Sequence, residues 1–103
     1  MVYEIWQAPL SCPYKYMHYD WITGKKPNIR DYVLVYSGET KGEIKNINEY
    51  LEKLFYIFNE EHPADYHSAS MSVSDIVCLI GECNHRFWFY VDGIGFKEIE
   101  VEE

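Results

Sequence analysis

Residues 46–80 carry the pattern that most limits the fold. Ile47, Leu51, Leu54, Phe55 and Phe58 recur at three- and four-residue spacing, which predicts an amphipathic helix. Glu49 and Glu52 fall on its other side. Asn46 stands where an N-cap is needed, with Glu49 three residues on, a variant of the capping box. Glu49 can also pair with Lys53 one turn along, worth a few tenths of a kcal/mol. Pro63 closes the helix, because its ring disfavours a helical His62. A polar turn follows. Residues 70–80 then read Ser-Met-Ser-Val-Ser-Asp-Ile-Val-Cys-Leu-Ile. The first half alternates, and the second is continuously apolar, as in a strand covered on both faces.

The rest of the chain supplies strands for that helix to pack on. Residues 2–7 alternate until Trp6 and predict a first strand. Pro9 and Pro13 end it and begin an irregular link. The aromatic-rich residues 14–21 predict a second strand, with Tyr14, Tyr16 and His18 on one parity. Residues 23–27 form a basic turn, and 27–31 can hold a single helical turn. The β-branched and aromatic run 32–36 predicts a buried strand, and the polar residues 37–45, with Gly38 and Gly42, a loop. Residues 81–85 have hairpin length, with 86–92 as the partner strand. Gly93 and Gly95 mark a turn, and 96–101 alternates again. The expected architecture is α+β, one domain over residues 1–103, with an antiparallel sheet of about four to six strands and one main α-helix packed on a face.

Charge and rings bound the function. A chain of 103 residues buries roughly 60–70% of its unfolded surface and folds without staples. Ten tyrosines, three tryptophans and five phenylalanines cannot all be interior, so some rings belong at the surface, as at interfaces. The net charge is −8. Up to Tyr36, four basic residues face three acidic ones, a net of +1; beyond it, five face fourteen, a net of −9. Such a field repels nucleic acid and attracts basic surfaces within a Debye length of roughly 8 Å. Ordinary acidity for solubility is the plainer reading of the same numbers. Three cysteines argue against a disulfide framework. The start of the chain has no basic or apolar leader, and no run approaches the ~20 apolar residues of a membrane span. A cytoplasmic protein with reduced thiols is expected.

Several clusters invite a chemical reading. His62, Asp65, His67, Ser70, Ser72, Ser74 and Asp75 suggest a Ser-His-Asp hydrolase, yet there is no G-x-S-x-G elbow. Side chains that satisfy turn backbone explain them better. Cys78, Cys83 and His85 fall short of a four-ligand zinc set, and Cys78 reads as a small core residue. Cys12 with His18 makes no stronger nucleophile pair. No cofactor or metal is expected. In the last strand, Glu98, Glu100 and Glu102 share one predicted face. Carboxylates there lie roughly 6.5–7 Å apart, about half the charge density of one DNA strand. A second row from Glu49, Glu52, Glu60 and Glu61 would be needed for mimicry, and a charged edge that resists aggregation is the simpler account. With Asp92 and Glu103, these acids are the candidate partner-binding residues. Trp88 and Tyr90 on one face of the 76–91 hairpin, or Phe87, Phe89 and Val91 on the other, are docking candidates.

The segment from Tyr32 onward resembles the YodL-like family of small bacterial proteins and domains. The resemblance is carried by Tyr-Val-Leu-Val-Tyr-Ser-Gly-Glu at 32–39, then 51–58 leading into Asn59, and His-Pro-Ala-Asp-Tyr at 62–66. Ser-Met-Ser-Val-Ser-Asp-Ile-Val at 70–77 and Tyr-Val-Asp-Gly-Ile-Gly-Phe at 90–96 complete it. Two places depart from it: Ser68-Ala69 stands where Gly-His is common, and Gly93 where Ser is common. The resemblance implies structural roles for Asn59, His62, Pro63, Asp65, Ser72, Ser74, Asp75, Tyr90, Asp92, Gly95 and Phe96, and no catalytic residues. It also implies carriage on mobile genetic elements, with one branch tied to interference in actin-like cell-shape filaments. Anti-CRISPR proteins are similar in kind, being small, acidic and mobile-element-borne. The preferred expectation is a non-enzymatic inhibitor or adaptor. It would bind a basic nucleic-acid-handling host defence protein, most concretely a CRISPR effector nuclease, without touching nucleic acid or membrane itself. A filament modulator is the alternative, and a small hydrolase built on 62–75 the second alternative.

Overall fold

The computed structural model describes residues 1–22 and 26–103. Five strands form one antiparallel sheet: β1 (Val2–Gln7), β2 (Val33–Glu39), β3 (Ile76–Ile80), β4 (Arg86–Val91) and β5 (Phe96–Ile99). Their order is β2-β1-β3-β4-β5, every pairing antiparallel. The helix α1 (Ile47–Glu60) lies over one face. This is the α+β architecture expected from the sequence. The described part of the predicted basic turn begins at Lys26; its residues 23–25 lie outside the described residues.

The helix forms where its pattern demands. Asn46 Oδ1 accepts from the Glu49 N–H at 3.1 Å, satisfying one of the donors that a helix start leaves free. Leu51, Leu54 and Phe58 are buried. Ile5, Val77, Leu79, Phe89 and Val91 meet them from the sheet. Tyr50, outside the predicted stripe, is buried as well. Its hydroxyl bonds the Thr40 hydroxyl, drawing the loop before α1 onto the helix.

The opposite face of the sheet is also covered, which explains the unbroken apolar run of β3. Ile76, Cys78, Trp88, Tyr90 and Ile99 pack there against Ala8, Cys12, Tyr19, Ile22 and Tyr32. Residues 14–21 are thus a cover and not the predicted strand. Their backbone donors go to side chains and to local turns instead of a neighbouring strand: Tyr16 N–H to Ser74 Oγ at 2.8 Å and Tyr19 N–H to Asp92 Oδ1 at 3.2 Å, with Met17 N–H to Tyr14 O and Trp21 N–H to His18 O, both at 3.0 Å. With those donors spent, no ladder forms. Tyr16 takes a left-handed φ of 67°, and Tyr19–Trp21 closes a 3-10 turn. A second one at Ile29–Asp31 matches the predicted helical turn.

Three further expectations change. The run 32–36 is not a buried strand: β2 is a sheet edge, and Val33 and Leu34 are 52% and 44% exposed. It also continues to Glu39, into the predicted loop. Residues 70–75 stay irregular, because Ser74 has φ 85° and Asp75 turns its carboxylate inward. Finally, β5 stops at Ile99.

Candidate protein-binding surface

The stretch between α1 and β3 is a network of side chains bonded to backbone. Asn59 Oδ1 accepts from Met71 N–H at 2.6 Å, and its Nδ2 donates to Met71 O at 3.2 Å. Asp75 is 1% exposed; its Oδ1 accepts from Ala8 N–H at 3.1 Å and its Oδ2 from Ser72 N–H at 2.9 Å. Burial pushes the Asp75 carboxyl up to about 6, against the pull of those two N–H donors and of Lys15. Tyr32 donates its hydroxyl to Ser74 O at 2.6 Å, and Tyr36 donates to Asp65 Oδ1 at 2.9 Å. The His62 ring rests on Tyr66 at 5.2 Å. Pro63 sits beyond the helix end, and its carbonyl accepts from Tyr66 N–H at 2.9 Å.

The other family-motif residues act alike. Tyr90 donates to Met17 O at 2.7 Å, and Asp92 accepts from Gly93 N–H at 2.9 Å as well as from Tyr19. Gly95 holds φ 73°, which its missing Cβ permits, and accepts from Asp92 N–H at 3.0 Å. Gly93 makes room for His18: a Cβ there would come within 2.0 Å of that ring. The His18 Nδ1 lies 3.6 Å from Asp92.

The chemical clusters do not assemble. Both Asp75 oxygens face backbone donors, and no hydrogen bond links it to His62 or His67 among the described residues. Cys78 is buried in the sheet, and Cys83 is exposed. Burial pushes the Cys78 thiol up to about 11 and also raises Cys12, keeping both protonated. Among the described residues no group of three His, Cys, Asp or Glu side chains is placed to hold a metal ion.

The acidic residues divide into separate groups. The predicted row Glu98-Glu100-Glu102 is not one face, since the strand ends at Ile99. Glu102 is instead tied by its main chain to Pro27 at 2.9 Å and Ile29 at 2.8 Å, while Glu100 borders a cleft with Lys26 and Arg86. Glu103 is exposed at the end of the chain. Glu52 lines a small cleft with Phe55, Asp92 and Phe96. Glu49 is exposed in the first turn of α1. Glu60 and Glu61 lie at the far end of the helix, about 12 Å further along its axis than Glu52, and join no second row. Glu98, paired across from Phe89, faces the helix side.

Glu98 borders an apolar cleft. One cleft of about 550 Å³ lies between the start of α1 and the sheet, floored by Leu79, Phe87, Phe89 and Phe96, with Glu98 beside them. A second, of about 540 Å³, is bounded by Ile44 and Ile80 with Glu39, Glu43 and Glu82 around it. Met1 and Ile47 border both. The groove exists because α1 begins only at Ile47 and leaves the start of β4 uncovered: Phe87 points to the helix side, yet is 38% exposed. Glu39, Glu43 and Glu82 were not singled out by sequence. They are far apart in the chain, and only the sheet order brings them together. The ion pairs among the described residues, Arg86–Glu4 at 2.7 Å and His18–Asp92, engage none of these four carboxylates.

A helix laid on a five-stranded antiparallel sheet, with acid-rimmed apolar clefts at one end, defines a small α+β domain. The chain belongs to the YodL-like family: the family's YodL-like domain model matches residues 1–101. The match takes in the N-terminal third, where the resemblance read from the sequence began only at Tyr32. No curated protein and no solved structure matches the chain. Among the described residues no helix is long and apolar enough to cross a membrane.

Proposed function

We propose that this domain is a non-enzymatic inhibitor or adaptor, carried by a mobile genetic element, that binds a basic, nucleic-acid-handling protein. The most concrete target is a CRISPR effector nuclease, whose positive nucleic-acid channel the acidic surface would occupy. One observation carries the reading: exposed carboxylates with no ion-pair partner among the described residues surround an open apolar groove. Apolar ground of that kind, rimmed by charge, marks interaction sites, and the charge steers a positive partner toward it. The net −9 beyond Tyr36 makes the same field repel free nucleic acid.

The test is a cleavage assay with purified protein against CRISPR effector nucleases at physiological ionic strength. The expected result is a dose-dependent loss of cleavage that weakens as salt rises. Undiminished cleavage by every effector tried, with no complex on size-exclusion chromatography, refutes the proposal.

A further inference from the structure

We infer that the two clefts form one groove that receives a basic amphipathic helix of the partner. This rests on the protein-binding reading above and specifies what enters. The centre of the groove floor, Leu79, Phe87 and Phe89, offers side chains: β3 lies between β1 and β4, and β4 between β3 and β5, while the edge strands β5 (Phe96, Glu98) and β2 (Glu39) stand at its margins. A partner segment lying over that centre buries side chains there, the helix-in-groove mode. Leu79, Phe87 and Phe96 form one apolar seat on the helix side; Ile44 lines the second, bordered by Ile80, whose side chain packs in the opposite layer, with Met1 and Ile47 between them. Two adjacent seats suit anchors one or two turns apart on one helix face. At about 550 and about 540 Å³, each falls in the size range of formed binding pockets.

Charge decides the sign of the occupant. Glu39, Glu43 and Glu82 flank the second seat and Glu98 the first, all exposed. Among the described residues, the cationic group lining the groove is the Met1 ammonium, which donates to Thr40 O at 3.0 Å. Lys41 and Lys45 belong to the same loop but border neither cleft. The rim is thus negative on both sides. Lysines or arginines beside the apolar anchors complement it, whereas an acidic helix meets repulsion.

The probe is a synthetic leucine–lysine peptide with leucine on one helical face; a shuffled peptide of identical composition is the control. Amide NMR shifts locate binding, and titration gives its strength. The expected shifts fall on Ile47, Leu79, Phe87 and Phe96, with the facial peptide bound about tenfold more tightly than the shuffled one. Phe87→Asp removes that preference. Glu82→Lys together with Glu98→Lys weakens binding about threefold or more and flattens its salt dependence. The lysine variants change only exposed positions, so they remain informative if Phe87→Asp unfolds the domain. Equal binding of both peptides overturns the inference, as do shifts confined to Glu60, Glu61 or Glu100. Self-association that Phe87→Asp abolishes also overturns it, by assigning the groove to a second copy. The two proposals fail separately. Nuclease inhibition that survives Phe87→Asp removes the groove and keeps the inhibitor reading; specific peptide binding without inhibition of any effector does the reverse.

Discussion

Asp75 offers the sharpest test of the physical account, because two effects of opposite sign meet on one carboxyl. Burial raises it from 3.8 to about 6, while two backbone N–H donors and Lys15 pull it down. The folded protein therefore holds this proton more tightly than the unfolded chain. Stability from this group is fully present below about pH 4 and is lost as pH rises toward 6. A shift of about two pH units corresponds to about 3 kcal/mol. Many other carboxylates titrate in the same range, so the perturbation is Asp75→Asn, which cannot ionise. Urea unfolding of both proteins, followed by tryptophan fluorescence at pH 4, 5, 6 and 7, gives the difference between them. That difference should be small at pH 4, where the protonated acid resembles the amide, and should move in favour of Asn by up to about 3 kcal/mol by pH 7. If it moves toward Asp instead, the two N–H bonds outweigh desolvation and the reasoning fails.

Three other outcomes follow from the packing and the caps. Leu54→Ala empties a buried site beneath α1 and should cost about 2–5 kcal/mol by chemical denaturation. Asn59→Ala leaves the Met71 N–H and C=O without their partner and should cost about 1–3 kcal/mol, with faster hydrogen exchange at the Met71 amide. Asn46→Ala removes the N-cap bond to Glu49; a loss of about 1 kcal/mol is expected, read as a lower melting temperature.

The sequence shows most plainly what local chemistry decides. Asn46, the Leu51–Leu54–Phe58 stripe and Pro63 define α1 to within a residue or so, because capping, periodicity and proline act over a few residues. The apolar run 76–80 shows β3 to be covered twice, as it is. What long-range contacts decide stays hidden. Tyr14 to Trp21 alternates well enough for a strand, but Ser74 and Asp92, at least 58 residues away, take the backbone donors of Tyr16 and Tyr19. Val33 and Leu34 look like core until the strand order puts β2 at an edge. The acidic row ending in Glu102 depends on where β5 stops, and the parallel bridge of Glu102 to Asn28 redirects the chain there. Of the groove, Glu98 and Phe87 were visible as candidates. Glu39, Glu43 and Glu82 were not, because no spacing links them.

The pairing of β1 with β3 joins Val2 to Ile80, at the middle of the sheet. The innermost seam is thus made by pieces 78 residues apart in sequence, from Val2 to Ile80. Until Ile80 has emerged, β1 has only β2 beside it, and the rings destined for both layers stay wet. Closing so distant a seam is slow, since the intervening loop must lose its entropy first. Newly made chains therefore pass through a stage in which β1 keeps an unpaired edge.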